Sequence, residues 1–175
     1  VRFFERLEIK DILSYLRVID NPDDDISFTR IINVPSRKFG KTSLEKLQQL
    51  AGRANRSLYR TLASNIGPGE AFAKAPLRSF IENIEYLRGR TDMLPPSEIT
   101  DEAMQIFGLR DLYRNDTQEE RLENVNELIN SMKEYEKANL DEEETGLHHY
   151  LQDIALFADA DFHRKGEAVR TMTIH

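Results

Sequence analysis

Apolar residues recur along most of the chain at intervals of three and four positions, the spacing that places them on one face of an α-helix. The first such segment runs from Glu8 to Ile19. The longest runs from Gln118 to about Asn139 and keeps the helical period over several turns. The pattern predicts a mainly α, compact multi-helix domain. Further helices are predicted over Ile26–Val34, Ser43–Ala54, Leu58–Asn65, Leu77–Arg88, Ser97–Phe107, Leu109–Arg114 and Gly146–Ala158.

Polar residues and prolines near the predicted helix ends supply start signals. Thr42-Ser43-Leu44-Glu45 has the spacing of a capping box, in which two side chains accept hydrogen bonds from free N–H groups at the helix start. Ser57 and Ser97 are predicted to cap the helices that follow them. Pro76 fits the first turn of the helix that ends near Arg88.

The two ends of the sequence have a different pattern. Val1–Phe4 is β-prone, and Val169–His175 alternates apolar and polar residues as a strand does. We therefore expect short β stubs over residues 1–7 and 167–175, around a helical body over residues 8–166. Such stubs are typical of a piece of a longer protein whose sheet lies elsewhere.

The composition is that of a globular domain. The 175 residues are enough for one domain with a real core, and 31% of them are charged. The sequence has no cysteine, which excludes disulfides and thiolate chemistry. It contains no apolar run long enough for a membrane span and no signal peptide pattern, so we expect a cytoplasmic protein without a membrane partner.

Positive charge is concentrated between Arg30 and Arg60. This segment has eight basic residues and one acid, a net charge of +7 in a chain of net charge −7. The segment contains a short turn rich in basic residues, Ser36–Lys41. The turn comes before a helix start, where free N–H groups favour an anion. Such one-signed charge is typical of a site for DNA or RNA. The alternative is a basic patch that docks on the chain's own acidic face, and charge alone does not decide between the two.

Known catalytic and metal-binding patterns do not occur in the sequence. It has no nucleotide phosphate-binding loop and no Gly-x-Ser-x-Gly motif. His148 and His149 are adjacent, so on a helix they point about 100° apart and cannot share one metal. Asp23-Asp24-Asp25 lacks the glycine and glutamate of a calcium loop and is predicted to form a turn and helix cap. We predict a binding module with no catalytic residue and no metal site.

Four stretches of the chain, taken in order, follow one known pattern. They are Arg2–Arg17, Asn21–Gly40, Arg121–Leu128 and Met172–His175. Together they resemble superfamily 1A DNA helicases of the UvrD, PcrA and Rep kind. The stretches are similar, in turn, to motif IVa, to the segment with a Pro-x-Arg-Gly-Ile-Gly turn that contacts duplex DNA, to an Arg-Leu-Glu-Asn-Leu-x-Glu-Leu helix, and to the opening of motif V.

The resemblance implies that the chain is the 2B subdomain, a helical insertion between two strands of motor domain 2A. It implies a helix-hairpin-helix-like turn that binds double-stranded DNA and single/double-strand junctions. It implies an ATP-dependent 3'-to-5' helicase of DNA repair or replication, with the ATP and Mg site between motor domains outside this chain. The chain itself would then need no cofactor. The implied partners are motor domains 1A, 1B and 2A, with self-association or protein activators as further possibilities.

The resemblance also implies site residues. The first glycine of the family's Gly-Ile-Gly is Lys38 here, which adds charge but disfavours the positive φ that glycine accepts. Phe39 either packs inward as a plug, which we favour, or contacts a sugar. The candidate DNA-binding residues are Arg37, Lys38, Phe39, Gly40, Lys41, Thr42 and Lys74. The candidate motor-domain contacts are Glu5, Arg6 and His175.

Two other functions fit the same residues. One is the corresponding subdomain of a helicase-nuclease subunit, which shares the motor plan. The other is a helical protein-interaction module, in which the basic segment docks an acidic partner protein.

Overall fold

The computed structural model describes residues 2–114, 120–143 and 145–157, and these residues form helices joined by turns. The predicted mainly helical fold is therefore confirmed for this part of the chain. The predicted start of the long helix at Gln118 lies outside the described residues. The helices are α1 (Leu7–Asp20), α2 (Asp25–Ile31), α3 (Lys41–Ala54), α4 (Leu58–Ala63), α5 (Ala75–Arg88), α6 (Pro96–Ile106), α7 (Leu109–Arg114), α8 (Glu120–Ala138) and α9 (residues 147–157).

Helix α1 lies at the centre of the domain. It packs against α2, α5, α6 and α8. The predicted apolar stripe, which includes Ile9 and Leu16, is buried, but so are Tyr15 and Val18 on other faces. Each apolar side chain of this size stabilises the fold by about 1.5–3 kcal/mol when buried. Because neighbours cover α1 on several sides, it positions the elements around it.

Three of the predicted helix starts are confirmed. The hydroxyl of Ser57 accepts a hydrogen bond from the Arg60 N–H at 3.3 Å and caps α4. Pro76 lies in the first turn of α5. The predicted cap before Ile26 is Asp24, whose carboxylate accepts from the Ser27 N–H at 3.1 Å. These caps depend on neighbours in sequence, which is why the sequence reveals them.

Two other predicted starts are wrong. Helix α3 begins at Lys41 after Gly40, without a side-chain cap, so the capping box from Thr42 to Glu45 does not form. Helix α6 begins at Pro96, one residue before the predicted cap Ser97. The Ser97 N–H and hydroxyl instead donate to the two carboxylate oxygens of Glu136 in α8, at 2.7 and 2.9 Å. A carboxylate from another helix thus caps α6 and complements its dipole.

The predicted β stub at residues 1–7 is wrong for the residues described there. Phe3–Glu5 forms a short 3₁₀ helix, closed by the Arg6 N–H donating to the Phe3 carbonyl at 3.3 Å, and α1 begins at Leu7. The predicted stub at 167–175 lies outside the described residues. The proposed division of the chain into two stubs and a body stays a prediction. No helix in the described ranges is long and apolar enough to cross a membrane.

Helix α2 is shorter than predicted. It ends at Ile31, and the Val34 N–H donates to the Ile31 carbonyl in a turn at 2.9 Å. Pro35 follows, and a residue before proline avoids the helical conformation. The helical repeat predicts that Ile26, Phe28, Ile31 and Ile32 lie inside. Phe28, Ile31 and Ile32 are buried, but Ile26 in the first turn is 87% exposed, so the prediction is wrong at that position only.

The Glu136 cap gives a test of this packing. Glu136→Ala leaves the buried Ser97 N–H and hydroxyl without their acceptor, so the free energy of unfolding should fall by about 1–2 kcal/mol. Urea unfolding followed by circular dichroism measures it. Glu134→Ala is the matched control, because Glu134 is 77% exposed in a surface pair with Lys137, and should change stability by less than about 0.5 kcal/mol. Equal effects of the two substitutions would contradict the assigned cap.

Candidate nucleic-acid interface

The turn between α2 and α3 is organised by the side chain of Asn33. Its Oδ1 atom accepts from the Arg37 N–H at 2.8 Å and from the Phe39 N–H at 3.1 Å. Asparagine is suited to this task because its short side chain reaches its own backbone a few residues on. Between the two bonded residues, Lys38 has the left-handed conformation, with φ 56°. The structure therefore holds this lysine in the backbone conformation that glycine adopts most readily.

Arg37 points into the protein and is 8% exposed. Its Nη1 atom donates to the carbonyl oxygens of Ile31 and Ile32, at 2.9 and 3.0 Å, at the end of α2. Its Nη2 atom donates to the Tyr15 hydroxyl at 2.7 Å. The guanidinium carbon lies 4.6 Å from the centre of the Phe80 ring. Arg37 thereby joins α1, α2 and α5.

This placement corrects the expectation that Arg37 pairs with a phosphate. Its Nη1 and Nη2 atoms donate to oxygens of the protein, and aromatic rings lie against its face. The sequence could not reveal this, because an arginine beside Lys38 has the same composition signal whether it points in or out. Burial raises the pKa of Tyr15 to about 12 despite the nearby Arg37, so the Tyr15 hydroxyl stays protonated. It donates to the Val34 carbonyl while it accepts from Arg37.

Phe39 packs inward, as the favoured plug alternative predicts. It is 3% exposed, and its ring centre lies 5.7 Å from that of Phe72. The contact brings the segment of Phe72 and Lys74 beside the turn. Lys46 of α3 extends over the same Phe72 ring, with its Nζ atom 5.7 Å from the ring centre. Lys46 was not among the predicted site residues, and only the tertiary contact identifies it as a neighbour of the site.

The outward side of the turn carries exposed positive charge. Lys38, Gly40, Lys41 and Thr42 are exposed, and so is Lys74. Helix α3 has no side-chain cap, so its first N–H groups have no acceptor within the helix. Among the residues that the structure describes, no ion pair neutralises Lys38 or Lys41. We call Lys38, Gly40, Lys41 and Thr42 the basic turn.

Two other basic residues of the charged segment are already paired. The Nε atom of Arg30 lies 3.0 Å from the Asp11 carboxylate, and that of Arg60 lies 2.7 Å from the Asp23 carboxylate. The Arg60 pair is exposed and lowers the pKa of Asp23 through its hydrogen bond. These two arginines bind acids of the chain itself, as the alternative of a basic patch that docks on the chain's own acidic face predicts. Lys38 and Lys41 of the basic turn stay exposed, as do Lys46, Arg53 and Arg56 of the same segment.

The predicted motor-domain residues lie at the start of α1. Glu5 is exposed. Arg6 donates to the Asn124 side chain of α8 at 2.5 Å, and Asn124 donates to Glu8 at 2.6 Å. Arg6 therefore also contacts α8 within the domain. His175 lies outside the described residues, and the motor-domain interface stays a prediction.

Comparison with known proteins identifies the family. The profile of the UvrD-like helicase C-terminal domain matches residues 1–175. The chain belongs to this family. It is 42% identical over 179 residues to the ATP-dependent DNA helicase PcrA of Staphylococcus epidermidis strain RP62A, with 99% of this chain and 24% of the relative covered. PcrA of Staphylococcus aureus strain Mu50 matches with the same identity and coverage. The chain spans about a quarter of the length of these relatives.

In this member of the UvrD-like family, Arg37 should be required for the stability of the turn. Arg37→Met removes the donor for two buried carbonyls and for Tyr15, so the free energy of unfolding should fall by about 2–3 kcal/mol. Arg53→Met at the exposed end of α3 is the control and should change it by less than about 0.5 kcal/mol. Urea unfolding measures both. A similar small effect for the two variants would show that the Arg37 network contributes nothing.

A substitution at Lys38 should raise the free energy of unfolding, whereas the substitution at Arg37 lowers it. Lys38→Gly relieves the left-handed strain, which exceeds the entropy cost of glycine, so stability should rise by about 0.5–1 kcal/mol. Lys46→Gly removes the same side chain from the interior of α3 and should lower stability by about 1 kcal/mol. Thermal unfolding of the two variants beside the wild type provides the measurement. A loss of stability for Lys38→Gly would mean that the backbone is not strained there.

Proposed function

We propose that this chain is the 2B subdomain of a UvrD-like ATP-dependent 3'-to-5' DNA helicase and that it holds duplex DNA ahead of the motor. The single observation that carries the proposal is the start of α3 without a side-chain cap, flanked by Lys38 and Lys41, which are exposed and form no ion pair with the described residues. Family membership over residues 1–175 and the relatives' printed activity support the helicase context. ATP and Mg serve the full-length protein at a site outside this chain.

The basic turn grips the phosphate backbone in two ways. Lys38 and Lys41 supply charge, and the N–H groups of Gly40 and Thr42 donate to phosphate oxygens, with Lys74 and Lys46 adding charge at the side. In this helix-hairpin-helix-like unit, α2 and α3 are the two helices. Phosphate contacts carry no base information, so binding is independent of sequence and weakens with salt.

Arg37 and Phe39 act on this site from inside. Arg37 fixes the end of α2 and Phe39 anchors the turn on Phe72, so the four outward residues are held in place before DNA arrives. Preorganisation of this kind lowers the ordering cost of binding. We therefore assign Arg37 and Phe39 as positioning residues, and not as direct DNA contacts.

The partners of the subdomain follow from the same proposal. Motor domains 1A, 1B and 2A of the cytoplasmic helicase adjoin it, with Glu5 and Arg6 near the junction with 2A. The DNA partner is a duplex that adjoins a 3' single strand. The relatives are named ATP-dependent DNA helicases, which supports the proposed helicase function.

A titration of the 175-residue chain against a labelled duplex with a 3' tail tests the grip. Lys38→Glu/Lys41→Glu should weaken binding at low salt by about tenfold or more, because the charges of both phosphate-binding lysines are reversed. The wild-type affinity should fall as the salt concentration rises. The affinity of the variant should depend on salt less steeply, because it makes fewer phosphate contacts. Fluorescence anisotropy at stepped salt concentrations gives both quantities.

The matched control is Lys133→Glu/Lys137→Glu, the same charge change on exposed residues of α8. It should retain most of the wild-type affinity. If both variants bind DNA alike, the basic turn is not the grip. Polyglutamate serves as an acidic protein ligand. If it binds the wild type more tightly than DNA does, and if Lys38→Glu/Lys41→Glu abolishes that binding, the protein-interaction function replaces the one proposed.

A further inference from the structure

A groove lies near the C-terminal end of α5. The N-terminal end of this helix follows Lys74, which lies beside the basic turn. Two loops form it: residues 91–95, which join α5 to α6, and the loop after α8, which contributes Leu140, Glu143 and residues 145–146. Glu136 of α8 lies between the loops. We call this feature the acidic groove. Helix α5 has 14 residues, so its two ends lie about 20 Å apart.

Two large apolar side chains line the groove without being covered. Met93 is 69% exposed and Leu140 is 79% exposed. Single exposed apolar residues are common on protein surfaces, but here two from different loops share one concave feature. Methionine is an adaptable binding residue, since its unbranched side chain fits many apolar shapes. The groove therefore offers two exposed apolar side chains to a ligand within a mostly polar lining.

The charge around these two side chains has one sign. The charged residues that line the groove in the described part of the chain are Asp92, Glu136 and Glu143. Glu136 is committed to the N–H and hydroxyl of Ser97, whereas Asp92 and Glu143 are exposed. Asp141 and Glu142, which precede Glu143 in the same loop, are also exposed, so the negative charge continues beyond the groove. This potential repels nucleic acid and attracts cationic side chains.

We propose that the acidic groove binds a basic amphipathic segment of a partner protein. The apolar face of the segment packs on Met93 and Leu140, and its lysine or arginine side chains pair with Asp92 and Glu143. Helices with one apolar face dock in grooves of this kind, and complementary charge sets their partner and association rate. Because α5 separates the groove from the basic turn, the segment and DNA do not compete. The inference does not depend on the DNA-binding proposal.

The probe is a fluorescein-labelled synthetic helical peptide with lysines on one face and leucines on the other. A matched peptide carries glutamate in place of each lysine. Anisotropy titration with the 175-residue chain should show saturable binding of the basic peptide, weaker at higher salt, and no saturable binding of the acidic one. Equal binding of both peptides would overturn the proposal, because the groove would then be only an apolar surface.

Variants locate the binding. Asp92→Lys/Glu143→Lys should weaken binding of the basic peptide by about tenfold or more, and Met93→Ser/Leu140→Ser should do so without a change in net charge. The matched control is Glu45→Lys/Glu127→Lys, the same charge change on exposed residues of α3 and α8, and should bind within about twofold of the wild type. If the control loses as much as the groove variants, the effect is general charge and the proposal is wrong.

Two further readouts keep the test decisive. Circular dichroism and thermal unfolding establish whether each variant folds. If Asp92→Lys/Glu143→Lys does not fold, the binding result for Met93→Ser/Leu140→Ser decides alone. Sedimentation velocity at several concentrations tests a second copy of the chain as the occupant. Self-association that Met93→Ser/Leu140→Ser abolishes would assign the groove to that second copy and overturn the basic-segment proposal.

Discussion

The buried guanidinium of Arg37 is the interaction on which the DNA-facing turn depends. It binds the last carbonyls of α2, where the helix dipole favours a positive charge, and it binds the Tyr15 hydroxyl of the central helix α1. Its partners among the described residues are neutral oxygens and aromatic faces, so the cost of burying this cation is offset by hydrogen bonds and by cation–π contact with Phe80. One side chain therefore holds three helices and the start of the turn together.

The direction of the turn's other residues follows from this constraint. Arg37 and Phe39 both point inward, so Lys38 between them must point outward, and its backbone takes the left-handed conformation. A glycine would adopt this backbone at lower cost, but it would bring no charge. The chain thus keeps a strained residue where we propose that DNA is held. Local strain at a site is stable only when the surroundings determine it, and Asn33 and Arg37 do so here.

Exposed charges of opposite sign lie on two separate surfaces, the turn before α3 and the groove near the end of α5. Lys38 and Lys41, which form no ion pair within the described residues, give the turn before α3 a positive surface, whereas Asp92 and Glu143 give the far end of α5 a negative one. Arg30 and Arg60 bind acids of the chain itself and add little to either surface. A net charge of −7 is therefore compatible with DNA binding, because the potential at a surface depends on nearby charges more than on the total.

The sequence by itself determined the helical class, the main helices, the caps at Asp24 and Ser57, the family and the basic turn, because each rests on local spacing or on an ordered motif. Only the tertiary structure decided which way the side chains in the turn point. Arg37 and Lys38 are neighbours with the same charge, and contacts with Tyr15 and Phe80 bury one of them. Likewise Glu136 caps a helix 39 positions away, a pairing that no local pattern encodes.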